Sequence, residues 1–238
     1  NRTHWDLRSK APSEPTPEQQ EAMDAGYYEG PRGPRVDPGE YTVKVAAAGK
    51  TSEQKVVVED DPRLNLSAQD RAARRAAIQE LYDMVKTTSK DRGSIVGLQS
   101  SLKSTREKWK KESAKKDGLK IPEDIQKQAD ELQRRVDEVA LKYQREREGL
   151  GNAGPPLVWR PAPLPGQAQG LLEDLDDFAA APGQQQLDRI AELKPLISEG
   201  SAQVKKLVEE DLPALNKKMN DAGIPHIVAS QGGSKQDG

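Results

Sequence analysis

The feature that most constrains this chain is a change of hydrophobic period at Asp61-Pro62-Arg63. Upstream, in the stretch that begins at Pro38, Tyr41, Val43 and Val45 alternate with Thr42 and Lys44. That two-residue period marks a half-buried strand. Ala48-Gly49-Lys50 supplies a turn in which the glycine can take positive φ, and Val56 to Val58 returns as a second strand. The expected hairpin pairs residues 40–47 with 53–59. From Leu66 onward the apolar residues recur with the period of a helix instead. The switch predicts a β module over residues 1–61 and a helical region over 62–229. The polar run SQGGSKQDG at 230–238 is expected to be a disordered tail.

The helical half divides into four apolar stripes. Ser67 is a good N-cap, with Asp70 three residues on and Leu66 placed as a staple. Ile78, Leu81, Val85, Thr88, Arg92, Ile95, Gln99 and Leu102 follow a seven-residue repeat, with Gly93 and Gly97 as its weak points. One helix over 67–115 is expected, kinked near those glycines and ended at Asp117-Gly118. Its last turn carries Lys110, Lys111, Lys115 and Lys116 at the negative end of the dipole.

Pro122 opens a second helix whose stripe, Ile125, Ala129, Leu132, Val136, Val139 and Tyr143, is the strongest helical signal in the chain. Gly149 to Gly154 should stop it, and Pro155 to Pro165 should form an extended crossover. Leu171, Leu172, Leu175 and Phe178 predict a shorter third helix, closed by Pro182-Gly183. A fourth starts near Gln184, with Leu187, Ile190, Leu193, Ile197, Val204, Leu207 and Val208 apolar. Pro195 should kink it, and Pro213 should either kink it again or start a terminal helix to Ala222. Four such stripes predict a mainly α protein, a four-helix up-down bundle preceded by a partial β module. No repeat of solenoid length is present.

Composition agrees with amphipathic helices. With 34% hydrophobic, 4% aromatic and 32% charged residues, apolar stripes can face inward while charge covers the rest. A length of 238 residues suffices for two small domains. A net charge of -2 supplies no global field toward nucleic acid or an anionic membrane. The chain has no Cys, which excludes disulfides and thiolate metal sites. No apolar run reaches the roughly 20 residues that span a bilayer.

The β module looks incomplete. His4 to Arg8 alternates, with Trp5 and Leu7 on one face, and predicts a third strand packing toward the sheet core. Residues 11–34 are rich in Pro, Gly, Glu and Gln and predict a long surface loop. Three strands are too few for a sandwich, and position 1 is not Met, so the remaining strands are expected upstream, in a longer protein.

A family resemblance is carried by Asn1-Arg2-Thr3-His4-Trp5-Asp6-Leu7-Arg8, then Gly33-Pro34-Arg35-Val36-Asp37-Pro38-Gly39-Glu40-Tyr41-Thr42-Val43, then Asp61-Pro62-Arg63. These motifs, in this order, resemble the C-terminal region of bacterial sortilin-like, BNR-repeat β-propeller proteins, often labelled glycosyl hydrolases. Asp211-Leu212-Pro213-Ala214-Leu215-Asn216 is similar to the ending of the same region. The resemblance implies an immunoglobulin-like module of the flagellar-hook-capping type followed by a helical region. It also implies an exported parent protein, secreted or periplasmic, with the propeller and signal peptide upstream. The propeller is not in this sequence, so its activity transfers to no residue here.

Candidate chemistry is sparse. His4 and His226 stand at opposite ends with no second ligand in zinc spacing. Asp60-Asp61 lacks the alternating oxygen ligands of a calcium loop and is better read as a solvated turn. The pairs Glu173-Asp174 and Asp176-Asp177 and the run Glu209-Glu210-Asp211 read as polar helix faces rather than the two acids of a glycosidase. Neither a G-x-S-x-G elbow nor a phosphate-binding glycine loop is present. Lys103 to Lys120 carries eight basic residues against three acidic ones, around Trp109. A basic helix end meeting the acidic 173–177 stretch accounts for it more simply than nucleic acid does. Trp5 is expected to pack on the sheet and Trp159 to plug the open side of the bundle, rather than to stack on sugars.

No catalytic, cofactor-binding or metal residue and no cofactor is therefore assigned. The expected function is a non-catalytic accessory, structural or interaction region of an exported propeller protein. Its expected partner is the propeller of the same chain, with other proteins or glycans as further candidates and no nucleic acid or membrane span. The alternatives are the tail of a glycan-hydrolysing enzyme whose active site lies upstream, or a stand-alone helical module that binds partners in its grooves.

Overall fold

The structure, a computed structural model, describes residues 4–27, 29–47, 49–64, 66–115, 118, 120–144 and 161–228. It is mainly helical, with one two-stranded antiparallel sheet. The chain divides into two compact units: Asn1–Tyr82 with Leu171–Leu187, and Asp83–Gly170 with Asp188–Gly238. The first unit thus takes in residues on both sides of Asp61.

In the first unit, β1 (Gly39–Ala47) pairs with β2 (Lys50–Val58) in a register that runs from Gly39 opposite Val58 to Ala47 opposite Lys50. Gly49, at φ 75°, turns the chain between them in a conformation costly for any residue with a Cβ. The register sorts the side chains. Tyr41, Val43, Val45, Val56 and Val58 share one face, while Glu40, Lys44, Glu53 and Lys55 share the other. On that polar face Lys44 meets Glu53 at 3.0 Å and Lys55 meets Glu40 at 2.7 Å.

Two expectations for the N-terminal residues are corrected. His4 to Arg8 is not a strand: Leu7 sits at φ 61°, which breaks the extended conformation, and a single bridge joins Arg8 to Arg35. Trp5 and Leu7 accordingly remain 41% and 45% exposed rather than lining a core. Nor is 11–34 all loop. It contains α1 (Pro17–Asp24), started by a capping box in which the Thr16 hydroxyl accepts from the Gln19 amide while the Gln19 side chain accepts from the Thr16 amide. Pro17 falls at the first helical position, where a missing N–H costs nothing.

Helix α2 (Ala68–Ser113) runs through both units. Ser67 caps it by accepting from the Asp70 amide at 3.1 Å. Gly93 and Gly97 do not interrupt it. In the first unit, Arg71, Arg74 and Arg75 share one face at helical spacing. Arg71 pairs with Asp60, Arg75 with Asp37 at 2.6 Å, and Arg74 donates to the backbone oxygens of Asp176 and Phe178.

The second unit is built on α2 from Asp83 onward, α3 (Glu123–Ala140), the start of α4 (Leu164–Asp177) and, from Asp188 onward, α5 (Gln184–Lys206). α5 passes through a π turn (Leu207–Asp211) into α6 (Leu212–Asp221). Gly118 ends the α2 side of the first connection, where a Cβ would come within 1.9 Å of the Glu112 carbonyl. The core joins Ile95, Leu98, Leu102 and Trp109 of α2 to Ile125, Ala129, Leu132, Val136 and Tyr143. The third side comes from Val204, Leu207, Leu215 and Met219. Each fully buried aliphatic side chain contributes about 1.5–3 kcal/mol.

The α3 stripe is therefore the core face that its periodicity predicts. Thr88 in the α2 repeat is fully buried and satisfied, its hydroxyl donating to the Met84 carbonyl at 2.8 Å. α5 continues past Pro195, which lies on its exposed face. At Pro213, which has no N–H to give, the helix widens, and the Leu212 amide reaches back five residues to the Leu207 carbonyl. α4 starts at Leu164, inside the segment expected to be extended crossover, and Phe178, expected on its apolar stripe, lies beyond its end and 73% exposed. The expected helix stop at Gly149–Gly154, Trp159 and the 230–238 tail fall outside the described residues.

Candidate functional site

The residues weighed for chemistry go to separate places. His4 and His226 are exposed, and no group of three or more His, Cys, Asp or Glu able to hold a metal occurs among the described residues. Asp60 and Asp61 are occupied by arginines. Asp60 takes Arg71, and Asp61 takes the Arg63 guanidinium at 2.6 Å and the Arg63 amide at 2.9 Å. The Arg63 hydrogen bonds hold the Asp61 carboxyl below its ordinary range. Asp211 pairs with Arg135 at 2.8 Å. Trp109 is buried in the core of the second unit, while Trp5 meets Tyr41 edge to face at 5.4 Å and donates its indole N–H to the Arg8 carbonyl at 3.0 Å.

Within the first unit the polar geometry converges on Asp176. Its side chain is 5% exposed. One carboxylate oxygen accepts from Arg8 Nη1 at 2.6 Å, the other from the Arg35 amide at 2.9 Å, and Arg74 stands at 4.0 Å. Arg8 also donates to the Gly33 carbonyl at 2.8 Å. Gly33 must lack a Cβ, which would come within 2.1 Å of the Ser9 carbonyl. The motif residues Arg8, Gly33 and Arg35 are thus the parts of one clasp on α4. Asp176 is one of four acids in the 173–177 stretch, and it is the one used here.

The second unit holds a polar cluster that no motif announced. Asp91 of α2 accepts from Tyr143 Oη at 3.3 Å and from Ser201 Oγ. Burial pushes the Asp91 carboxyl up, against the pull of the two hydroxyls and of Lys90. Burial likewise lifts the Tyr143 phenol, with the Asp91 charge adding to it, so Tyr143 remains a neutral donor. Gly200 admits the ring: a Cβ there would stand 2.5 Å from Tyr143 Oη.

Chemically the trio has a hydroxyl beside a carboxylate but no imidazole to relay a proton between them, since neither histidine hydrogen-bonds to it. What it supplies is a hydrogen-bonded tie between α2, the end of α3 and α5. The signal available in the sequence was weak, because Asp91 lies between Lys90 and Arg92 and reads as a surface charge. No protein-family model, curated protein or solved structure matches the chain.

Proposed function

We propose that this chain is a non-catalytic accessory region of a larger exported protein, a partial immunoglobulin-like module joined to a four-helix bundle of α2, α3, α4 and α5. The observation that carries the proposal is the apolar face of the hairpin. Val43 and Val45 are 40% and 57% exposed on the same side as Tyr41, while the opposite side is closed by cross-strand ion pairs. One side of the sheet gathers Tyr41, Val43, Val45, Val56 and Val58 beside Ser52 and Gln54, and the other gathers the four charges beside Val57, a partial sorting toward the inner and outer faces of a sandwich layer. By itself it is marginal in water. A second sheet belonging to the parent protein would cover the valines, and the Asp176 clasp would transmit that anchorage to the helices.

The parent is proposed to be the propeller protein that the N-terminal motifs resemble, secreted or periplasmic, with the propeller as first partner and the glycan chemistry, if any, on its blades. The codons preceding Asn1 test this directly. Repeated propeller blades and a signal peptide in frame support it, and a start codon within a few residues of Asn1 refutes it. A glycoside panel tests the non-catalytic part: turnover by the purified chain would overturn it.

A further inference from the structure

An open groove of about 490 Å³ runs along the second unit between α2 and α3, lined by Gln99, Lys103, Arg106, Glu107, Lys110, Gln133 and Asp137. On α2 the positions 99, 103, 106 and 110 repeat by four, three and four, so they form one straight ridge. The floor is held by side chains that are already committed. Asp137 accepts from Gln99 at 2.6 Å and from Gln133 at 2.9 Å, and Arg106 pairs with Asp130 across the groove. Lys103 and Lys110, by contrast, have no carboxylate partner among the described residues. They stand seven residues apart on the same ridge, about 10.5 Å along the helix axis.

We propose that this groove docks an acidic amphipathic helix of a partner protein, with two carboxylates seven residues apart meeting Lys103 and Lys110. The charge pattern selects that occupant. Seven residues is the distance after which a helix returns to the same face, so a partner helix lying along α2 presents acids in register with both lysines. Its apolar positions would lie on the methylene stems of Lys103, Arg106 and Lys110, which line the groove. Nucleic acid fits worse. A phosphodiester strand carries a charge about every 3.4 Å, a far denser array than two lysines about 10.5 Å apart can match.

The inference is independent of the propeller context, because the test uses this chain alone and a start codon near Asn1 would leave it standing. The probe is a fluorescein-labelled peptide of three consecutive copies of the heptad Glu-Leu-Ala-Ala-Leu-Glu-Ala, in which the first glutamate of each copy recurs seven residues on, followed by anisotropy at low salt. Saturable binding is expected, weakened about tenfold by Lys103→Glu with Lys110→Glu and weakened further by salt. Lys103→Arg with Lys110→Arg should retain it, as should Lys217→Glu on α6. Circular dichroism checks that each variant keeps its helix. Absence of saturable binding, equal binding by the double charge reversal, or tighter binding of a DNA duplex than of the peptide would each overturn the proposal.

Discussion

Arg8 and Asp176 lie 168 residues apart in the chain and 2.6 Å apart in the structure. Both side chains are largely buried, at 14% and 5% exposure. A buried ion pair repays its desolvation only when the remaining lone pairs and protons are also used. Here each partner makes one further hydrogen bond: Arg8 Nη1 reaches the Gly33 carbonyl, and Asp176 takes the Arg35 amide on its second oxygen. The pair therefore closes the first unit on itself, holding the irregular N-terminal segment to the end of α4.

Breaking one side of that clasp should cost far more than replacing both sides. Arg8→Ala leaves a buried carboxylate with only the Arg35 amide and a distant Arg74, and a loss of about 3 kcal/mol in local stability is expected. Arg8→Met combined with Asp176→Leu should recover most of it. Because the chain has two units, one melting temperature will not report the effect. Hydrogen exchange of the Ser9 and Val36 amides, which bond to Pro34 and Leu7, will. Equal protection in Arg8→Ala and wild type would show that the clasp does not hold this segment.

Gly200→Ala should destabilise the second unit by about 1–3 kcal/mol, the usual cost of overpacking. The added methyl meets the Tyr143 hydroxyl 2.5 Å away and the adjacent ring carbon at 3.3 Å. Removing that hydroxyl in the double variant Gly200→Ala with Tyr143→Phe should return part of the loss, although Asp91 then keeps only Ser201. A double-mutant cycle by urea denaturation measures the coupling. Simple additivity would mean that the backbone, rather than the ring, absorbs the methyl.

What was legible in the sequence is what depends on local period. The α3 stripe and the hairpin, with its turn at Gly49, follow from spacing alone, because a shift of one residue would turn valines or leucines to the wrong side. What was not legible depends on tertiary partners or on signals that compete. Thr16-Pro17 with Gln19 starts α1, but the Pro and Gly around it carry the composition of a loop. Whether Asp91 or Asp176 is a surface charge or a buried acceptor is decided by residues far away, Ser201 for one and Arg8 for the other. The positive φ of Leu7 has no local signature, since leucine seldom adopts it.

Acid should expose the opposite behaviour of two kinds of carboxylate. Glu131 and Glu199 are held below their ordinary 4.5 by hydrogen bonds from Arg134 and Lys142, so their stability is present above that value and lost as pH falls through the lowered one. Asp91 is raised above 3.8 by burial, so its contribution is complete below 3.8 and lost as pH rises through its higher folded value. Asp91→Asn removes only the second dependence. As pH rises above about 4 the variant should therefore gain stability relative to wild type, read as the difference between two series of urea midpoints. Parallel series would show that hydroxyl donors to Asp91 fully offset its burial.

The hairpin supplies the sharpest comparison, because positions on one face differ in what covers them. Tyr41 is half-buried, donates its hydroxyl to the Asp37 carbonyl at 2.6 Å and meets Trp5 edge to face. Losing the ring pair costs about 0.5–1.5 kcal/mol and losing the hydrogen bond about as much again, so Tyr41→Ala should lower hairpin protection by about 2 kcal/mol. Val43 and Val45, two and four residues further along, are exposed, and Val43→Lys or Val45→Lys should change it by less than about 0.5 kcal/mol. In the parent protein the order should reverse: a lysine facing a covering sheet would be buried without a partner, and either valine variant should be the more damaging. Hydrogen exchange of the β1 and β2 amides measures both cases. If Val43→Lys already costs as much as Tyr41→Ala in this chain, the valine face is covered from within, and the case for an external sheet loses its support.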